Sequence, residues 1–154
     1  MTAAELETHA RRRLRHWVAR AWARADLRRR NDGPWRVEVR LLGAPAMRSL
    51  NRRYRRRDYA TDVLSFSAHK IFRAQGILGE LVLCAPVLRR QAREQGHSEA
   101  RELDVLLVHG LLHLLDFDHE RGVRAASDQA RAEARLLGPG RAKGLIARLR
   151  SGKS

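Results

Sequence analysis

Val108-His109-Gly110-Leu111-Leu112-His113-Leu114-Leu115-Asp116-Phe117-Asp118-His119 is the stretch from which the rest of this sequence can be read. It gathers three of the chain's seven histidines into eleven residues. His109 and His113 are four apart, so on a helix they share one face, with about 5–6 Å between their Cβ atoms. Two imidazoles so placed can reach one metal ion. His119 lies six residues further on, past the expected helix end, where a chain that turns back can supply a third ligand. Three histidines and one open position make a catalytic zinc site rather than a closed structural one.

The same His-x3-His-x5-His spacing occurs in metzincin peptidases. Those place Glu directly after the first His as general base. Here that position is Gly110, so the ligand spacing is kept and the peptidase base is missing. The bland alternative is a core helix that carries histidines by chance. A third His at this spacing, in so apolar a run, weighs against it.

With 154 residues, 44% of them hydrophobic, the chain reads as one domain (1–154) able to bury its own core. No apolar run reaches the length of a membrane span, and no apolar segment follows the N-terminal arginines as in a signal peptide. Cys84 is the sole cysteine, which excludes an internal disulfide and suits a reducing cytoplasm. The net charge of +15 favours a polyanionic partner, nucleic acid above all. Arginine far outnumbers lysine, a bias that a GC-rich genome can produce, but the scarcity of acids is not explained that way.

Residues 1–34 read as an N-terminal helix and turn. Thr2 to Glu5 forms a capping box. Leu14, Trp17, Val18 and Ala21 follow at helical spacing to an end near Arg30, and the arginine face opposite is expected to be solvated. Asn31-Asp32-Gly33-Pro34 is a turn signal. From Trp35 to Leu41 apolar and charged residues alternate as in a half-buried strand. Ala44-Pro45 opens a second helix that ends in the run Arg52-Arg53-Tyr54-Arg55-Arg56-Arg57. Thr61–Ser67 and Leu78–Ala85 read as strands, the latter buried on both faces, and 68–77 as a loop. Pro86 starts a helix closed by Gly96. Ser98 caps the histidine helix, whose apolar stripe includes Leu103, Leu107, Gly110 and Leu114. A last helix spans 125–137, and 138–154 is a basic, flexible tail.

These residues resemble the YbeY family. His109 to His119 is similar to its H-G-x-L-H-L-x-G-[YF]-D-H signature. Leu50 to Arg55, with Asp58 and Thr61-Asp62-Val63-Leu64-Ser65-Phe66, forms a second matching block, and Leu78-Gly79-Glu80-Leu81-Val82-Leu83-Cys84 a third. Together the blocks span about 35–137. Asp116 stands where the family has Gly, a place where a left-handed turn is expected after the helix. Ala60 replaces a common Pro. Asp128-Gln129 and Glu133 stand where the family often shows Glu-Met and a later Glu. The family usually has a short strand before the first helix; this sequence opens directly on the helix, so an edge strand is expected to be missing.

The resemblance implies a single-strand-specific, metal-dependent endoribonuclease. Its role would be small-subunit (16S) rRNA 3′-end maturation and ribosome quality control in the cytoplasm. It implies a single Zn2+ ion on His109, His113 and His119. Zinc lowers the pKa of its water to around 7 and polarises phosphoryl oxygens. Arg55 aligns with a functionally important arginine of the family, so Arg55 and His113 are the catalytic candidates. Arg52 and Arg56 join Arg55 on the RNA phosphates. Asp118 and Asp116 are candidates to orient the metal ligands from behind. The general base stays open among Asp116, Asp118 and Glu80, with a substrate 2′-hydroxyl as a further nucleophile. His69 and His97 are expected at the surface. His9, His16 and Cys84 are poor ligand candidates. The partners implied are single-stranded RNA or an rRNA precursor, the small ribosomal subunit and a ribosomal protein, with no membrane. A second reading is an rRNA-binding assembly factor, stabilised by zinc, with little nuclease activity. The expected fold is α/β, a single domain with a small mixed sheet of three to four strands packed with helices around a metzincin-like site.

Overall fold

The computed structural model describes residues 1–118 and 121–138; His119 and the tail from 139 onward lie outside the described residues. Helix α1 (Ala3–Trp22) starts in the expected capping box, Glu5 N–H donating to Thr2 Oγ1 and Thr2 N–H to Glu5 Oε2. The following residues form a separate short helix, α2 (Ala25–Arg28), rather than continuing α1 to Arg30. The remaining elements are β1 (Arg36–Leu42), α3 (Ala44–Arg55), β2 (Val63–Ser67), α4 (Lys70–Arg73), β3 (Ile77–Cys84), α5 (Ala85–Glu94), α6 (Glu99–Leu114) and α7 (Val123–Leu137). The segment expected to be loop therefore contains the helical turn α4, capped by His69.

The three described strands form one mixed sheet in the order β1-β3-β2, with β1 parallel and β2 antiparallel to β3. As expected, central β3 is apolar on both faces. Leu81 and Leu83 pack with Val39 of β1 against α1 and α6, while Val82 and Cys84 pack with Leu64, Met47 of α3 and Val87 of α5. Helices α3 and α6 thus cover opposite faces. Between Arg36 and Val37 the register slips by one residue of β3, leaving Leu78 as the extra residue in the core. Gly79 (φ +147°) permits this, because a Cβ there would lie 2.0 Å from the Phe66 carbonyl oxygen.

Helix α6 is buried along almost its whole length, and Asp104 ties it to α1. Its carboxylate accepts from Arg13 Nε (2.8 Å), Arg13 Nη2 (3.1 Å) and Trp17 Nε1 (2.8 Å). Arg13, one of the arginines on the face of α1 expected to be solvated, is thus engaged by α6 instead. No described helix is long and apolar enough to cross a membrane.

Candidate metal and RNA site

His109 and His113 are the two partly accessible residues between Leu103 and Leu115 on a helix otherwise sealed in the core. Gly110 beside His109 sits against the sheet. A Cβ there would lie 2.7 Å from Leu81 Cδ2 and 3.3 Å from Ser65 Oγ, and Ser65 Oγ donates to the Gly110 carbonyl oxygen at 3.4 Å. The missing peptidase base is therefore the condition for close helix–sheet packing. With position 110 turned toward the strands, a Glu there would point into the core.

The ring of His109 is oriented from α7. Its Nδ1 is 2.6 Å from Glu133 Oε1, a carboxylate only 1% exposed, while the ring itself is 23% exposed. Gln129, also buried, donates from Nε2 to Glu133 Oε1 at 3.2 Å and to the His109 carbonyl oxygen at 3.4 Å. Burial works against a charged His109 ring. The hydrogen bond and charge of Glu133, helped by the charge of Asp62, outweigh it and hold the pKa above the ordinary imidazole value. A carboxylate acceptor at Nδ1 places the proton there and leaves Nε2 as the electron-pair donor. Asp62 stands at the entry to β2, where its Oδ1 accepts from Val63 N–H at 2.7 Å and its Oδ2 from Gln91 Nε2 at 3.2 Å. The N-terminal end of β2, α6 and α7 thus meet around His109.

Helix α6 ends in a left-handed cap, as expected from the Gly that the resembled family has at position 116. Asp116 has φ +70°, its N–H donates to His113 O (3.0 Å), and Phe117 N–H donates to Leu112 O (3.1 Å). Two arginines hold this turn. Arg30 Nη1 donates to Leu115 O at 3.1 Å and its guanidinium lies 3.7 Å from the Phe117 ring centroid, while Arg73 Nη2 reaches Asp116 Oδ2 at 3.3 Å. Asp118 Oδ2 pairs with Arg121 Nε at 3.3 Å.

The structure brings His109 and His113 together on one helix face; His119 lies outside the described residues, and among those described no group of three metal-binding side chains converges. The donor set still fits a metal, because His109 is held by a buried carboxylate through Nδ1 and its Nε2 edge is left as donor. Glu80 is separated from this site. It pairs with Arg40 at 3.0 Å opposite Phe66 and Glu38, on the sheet face away from α6, since side chains alternate along β3. Its candidacy as a base near His109 is overturned. His97 is also not a surface residue, for its Nε2 contacts the fully buried Glu102 at 2.5 Å. Arg52, Arg55 and Arg56 are all exposed at the C-terminal end of α3, where Arg56 is a left-handed cap (φ +56°). The segment 56–62 leads from this cluster to Asp62 and β2.

Sequence reasoning passed over Asp62, Gln129, Glu133, Arg30 and Arg73 as parts of the site. Gln129 and Glu133 carried a signal, being four apart on the inward stripe of an amphipathic helix. The two arginines carried none.

Residues 2–137 match the family described as Endoribonuclease YbeY. The Endoribonuclease YbeY of Methylibium petroleiphilum is 43% identical over 118 residues, covering 76% of this chain and 73% of that protein. That of Alkalilimnicola ehrlichii is 42% identical over 127 residues, covering 80% and 74%. A protein of Thermotoga maritima solved in solution shares the fold, with a TM-score of 0.57 and 23% identity over 100% of this chain and 92% of that one. The match running through the sheet, the histidine helix and α7 shows that this chain belongs to the endoribonuclease YbeY family.

Proposed function

We propose that this chain is a zinc-dependent endoribonuclease that cuts single-stranded RNA and acts in maturation of the small-subunit rRNA 3′ end. The observation that carries the reading is the buried Glu133 carboxylate on Nδ1 of His109, which leaves Nε2 as a metal donor. His109, His113 and His119 would hold the ion. When bound, zinc supplies a hydroxide at neutral pH and a Lewis acid for a phosphoryl oxygen. Glu133 and Gln129 fix the ring of His109 and raise its basicity. Arg55, with Arg52 and Arg56, binds the phosphodiester and offsets the charge that builds on it, guanidinium matching phosphate oxygens in pairs. Gly110 and Glu80 take no part in proton transfer at His109, one facing Leu81 and the other the far side of the sheet.

The test is cleavage of a labelled single-stranded RNA by the purified protein and by His113→Ala prepared identically, with metal content measured on both. The expected result is zinc and cleavage in the wild type and loss of both in the variant. Equal cleavage by both would mark the activity as a contaminant. Zinc retention without cleavage by the wild type would favour the assembly-factor reading.

A further inference from the structure

Both tyrosines of the chain, Tyr54 and Tyr59, lie in the arginine-rich segment, and both are exposed, at 56% and 43%. Tyr54 stands edge-on to Phe66 of β2, with ring centroids 5.2 Å apart at 77°, so the strand beneath holds its ring in one orientation. The Arg53 guanidinium lies 5.6 Å from the Tyr54 ring centroid. Tyr59 is fixed by its backbone. Its carbonyl oxygen accepts from Asn51 Nδ2 at 2.9 Å, Asn51 being buried in α3, and its hydroxyl is 3.4 Å from Arg57 Nη1. The left-handed cap at Arg56 and this Asn51 bond fold the connection back onto the end of α3, so both rings occupy that end. The one carboxylate between Arg52 and Tyr59 is Asp58, which is taken up by Arg48 at 2.8 and 3.0 Å.

We propose that Tyr54 and Tyr59 form a stacking platform for the bases of single-stranded RNA, beside the arginines that take its phosphates. This rests on the RNA reading above and adds what phosphate contacts cannot supply. An oriented aromatic face in a cationic setting binds an unpaired base by its π-surface, without regard to sequence, whereas the stacked bases of a duplex offer no such face. The platform makes the chain prefer single strands.

The test is binding of fluorescently labelled oligouridylate to the metal-depleted protein in excess chelator, so that no cleavage intervenes. An oligomer of the same length lacking bases and a duplex RNA serve as comparisons. Tyr54→Ala and Tyr59→Ala are each expected to weaken oligouridylate binding by about fivefold to a hundredfold. Tyr54→Phe should bind like wild type, and the base-free oligomer should be indifferent to all three changes. The slope of affinity against salt should be unaltered, because no cation is removed. Both rings are exposed, and unchanged circular dichroism checks that the variants fold. Wild-type affinity in both alanine variants, or equal losses on the base-free oligomer, overturns the platform while leaving the RNA reading intact. Absence of binding by the wild type to every RNA overturns the RNA reading, and the platform with it.

Discussion

At the scale of single residues, the site depends on side chains that never face solvent. Glu133 is the clearest case, and Glu133→Ala is expected to weaken zinc binding by about tenfold to a hundredfold, read by competition with a chelating dye. Unchanged affinity would mean that the carboxylate serves folding alone. Asp116 occupies a left-handed position that Gly adopts without steric cost; its carboxylate is exposed, and the mostly buried Arg73 it pairs with also donates to Leu78 O. Asp116→Gly should therefore raise stability by about 0.5–1 kcal/mol in urea unfolding, and Asp116→Val lower it by about 1 kcal/mol or more. Cys84 is fully buried at the end of β3. Burial pushes its thiol up, and the weaker pulls of the Val87 backbone and Arg90 do not restore it. Its reaction with a thiol reagent should follow the unfolding rate, and a fast reaction in native buffer would contradict that placement.

At the scale of elements, the contact of α6 with β3 is decided by Gly110. Gly110→Glu puts a carboxylate against Leu81 and Ser65, where even a Cβ would lie 2.7 Å from Leu81 Cδ2. The expected cost is about 3 kcal/mol, read as a lower urea midpoint, with no gain in peptide hydrolysis. A stable, peptidase-active variant would show that position 110 opens onto the histidines after all. The periodicity of α6 separated the histidines from the apolar stripe in the sequence. What periodicity could not show is that the helix is buried on nearly every side, because α1, α5 and α7 pack around it besides the sheet and cover the flanks that a surface helix would expose. The same limit explains His97. It follows the short turn after α5 and reads as exposed, yet the N-terminal turn of α6 folds Glu102 beneath it.

At the scale of the whole molecule, the arginines that contact phosphate, rather than the net charge of +15, should set the salt dependence of the proposed RNA binding. Affinity should fall linearly with salt on a logarithmic plot. Arg55→Ala should reduce the slope by about 0.7, the value of one phosphate contact on a single strand. An unchanged slope would remove Arg55 from the phosphate path. The arginines do not act as one surface. Arg13 holds Asp104, Arg30 and Arg73 hold the turn after α6, and those at the end of α3 remain exposed. Charge composition therefore overstates the binding surface, since some of its cations hold the fold together.

By itself the sequence determined the three strands, the longer helices and the two helical histidines, though not the break after Trp22 or the helical turn α4, because hydrophobic period, caps and turn residues are local properties of the chain. It marked the capping boundaries at Thr2 and Ser98 and the double-sided burial of β3 for the same reason, while the left-handed turn at Asp116 is expected only from the Gly of the resembled family. The tertiary structure alone decided that Glu80 faces away from the histidines, that Glu133 reaches His109, and that α3 and α6 lie on opposite faces of the sheet. Those outcomes depend on strand register, the slip at Gly79 and helix docking, and each couples residues far apart in the chain through packing that no local pattern encodes.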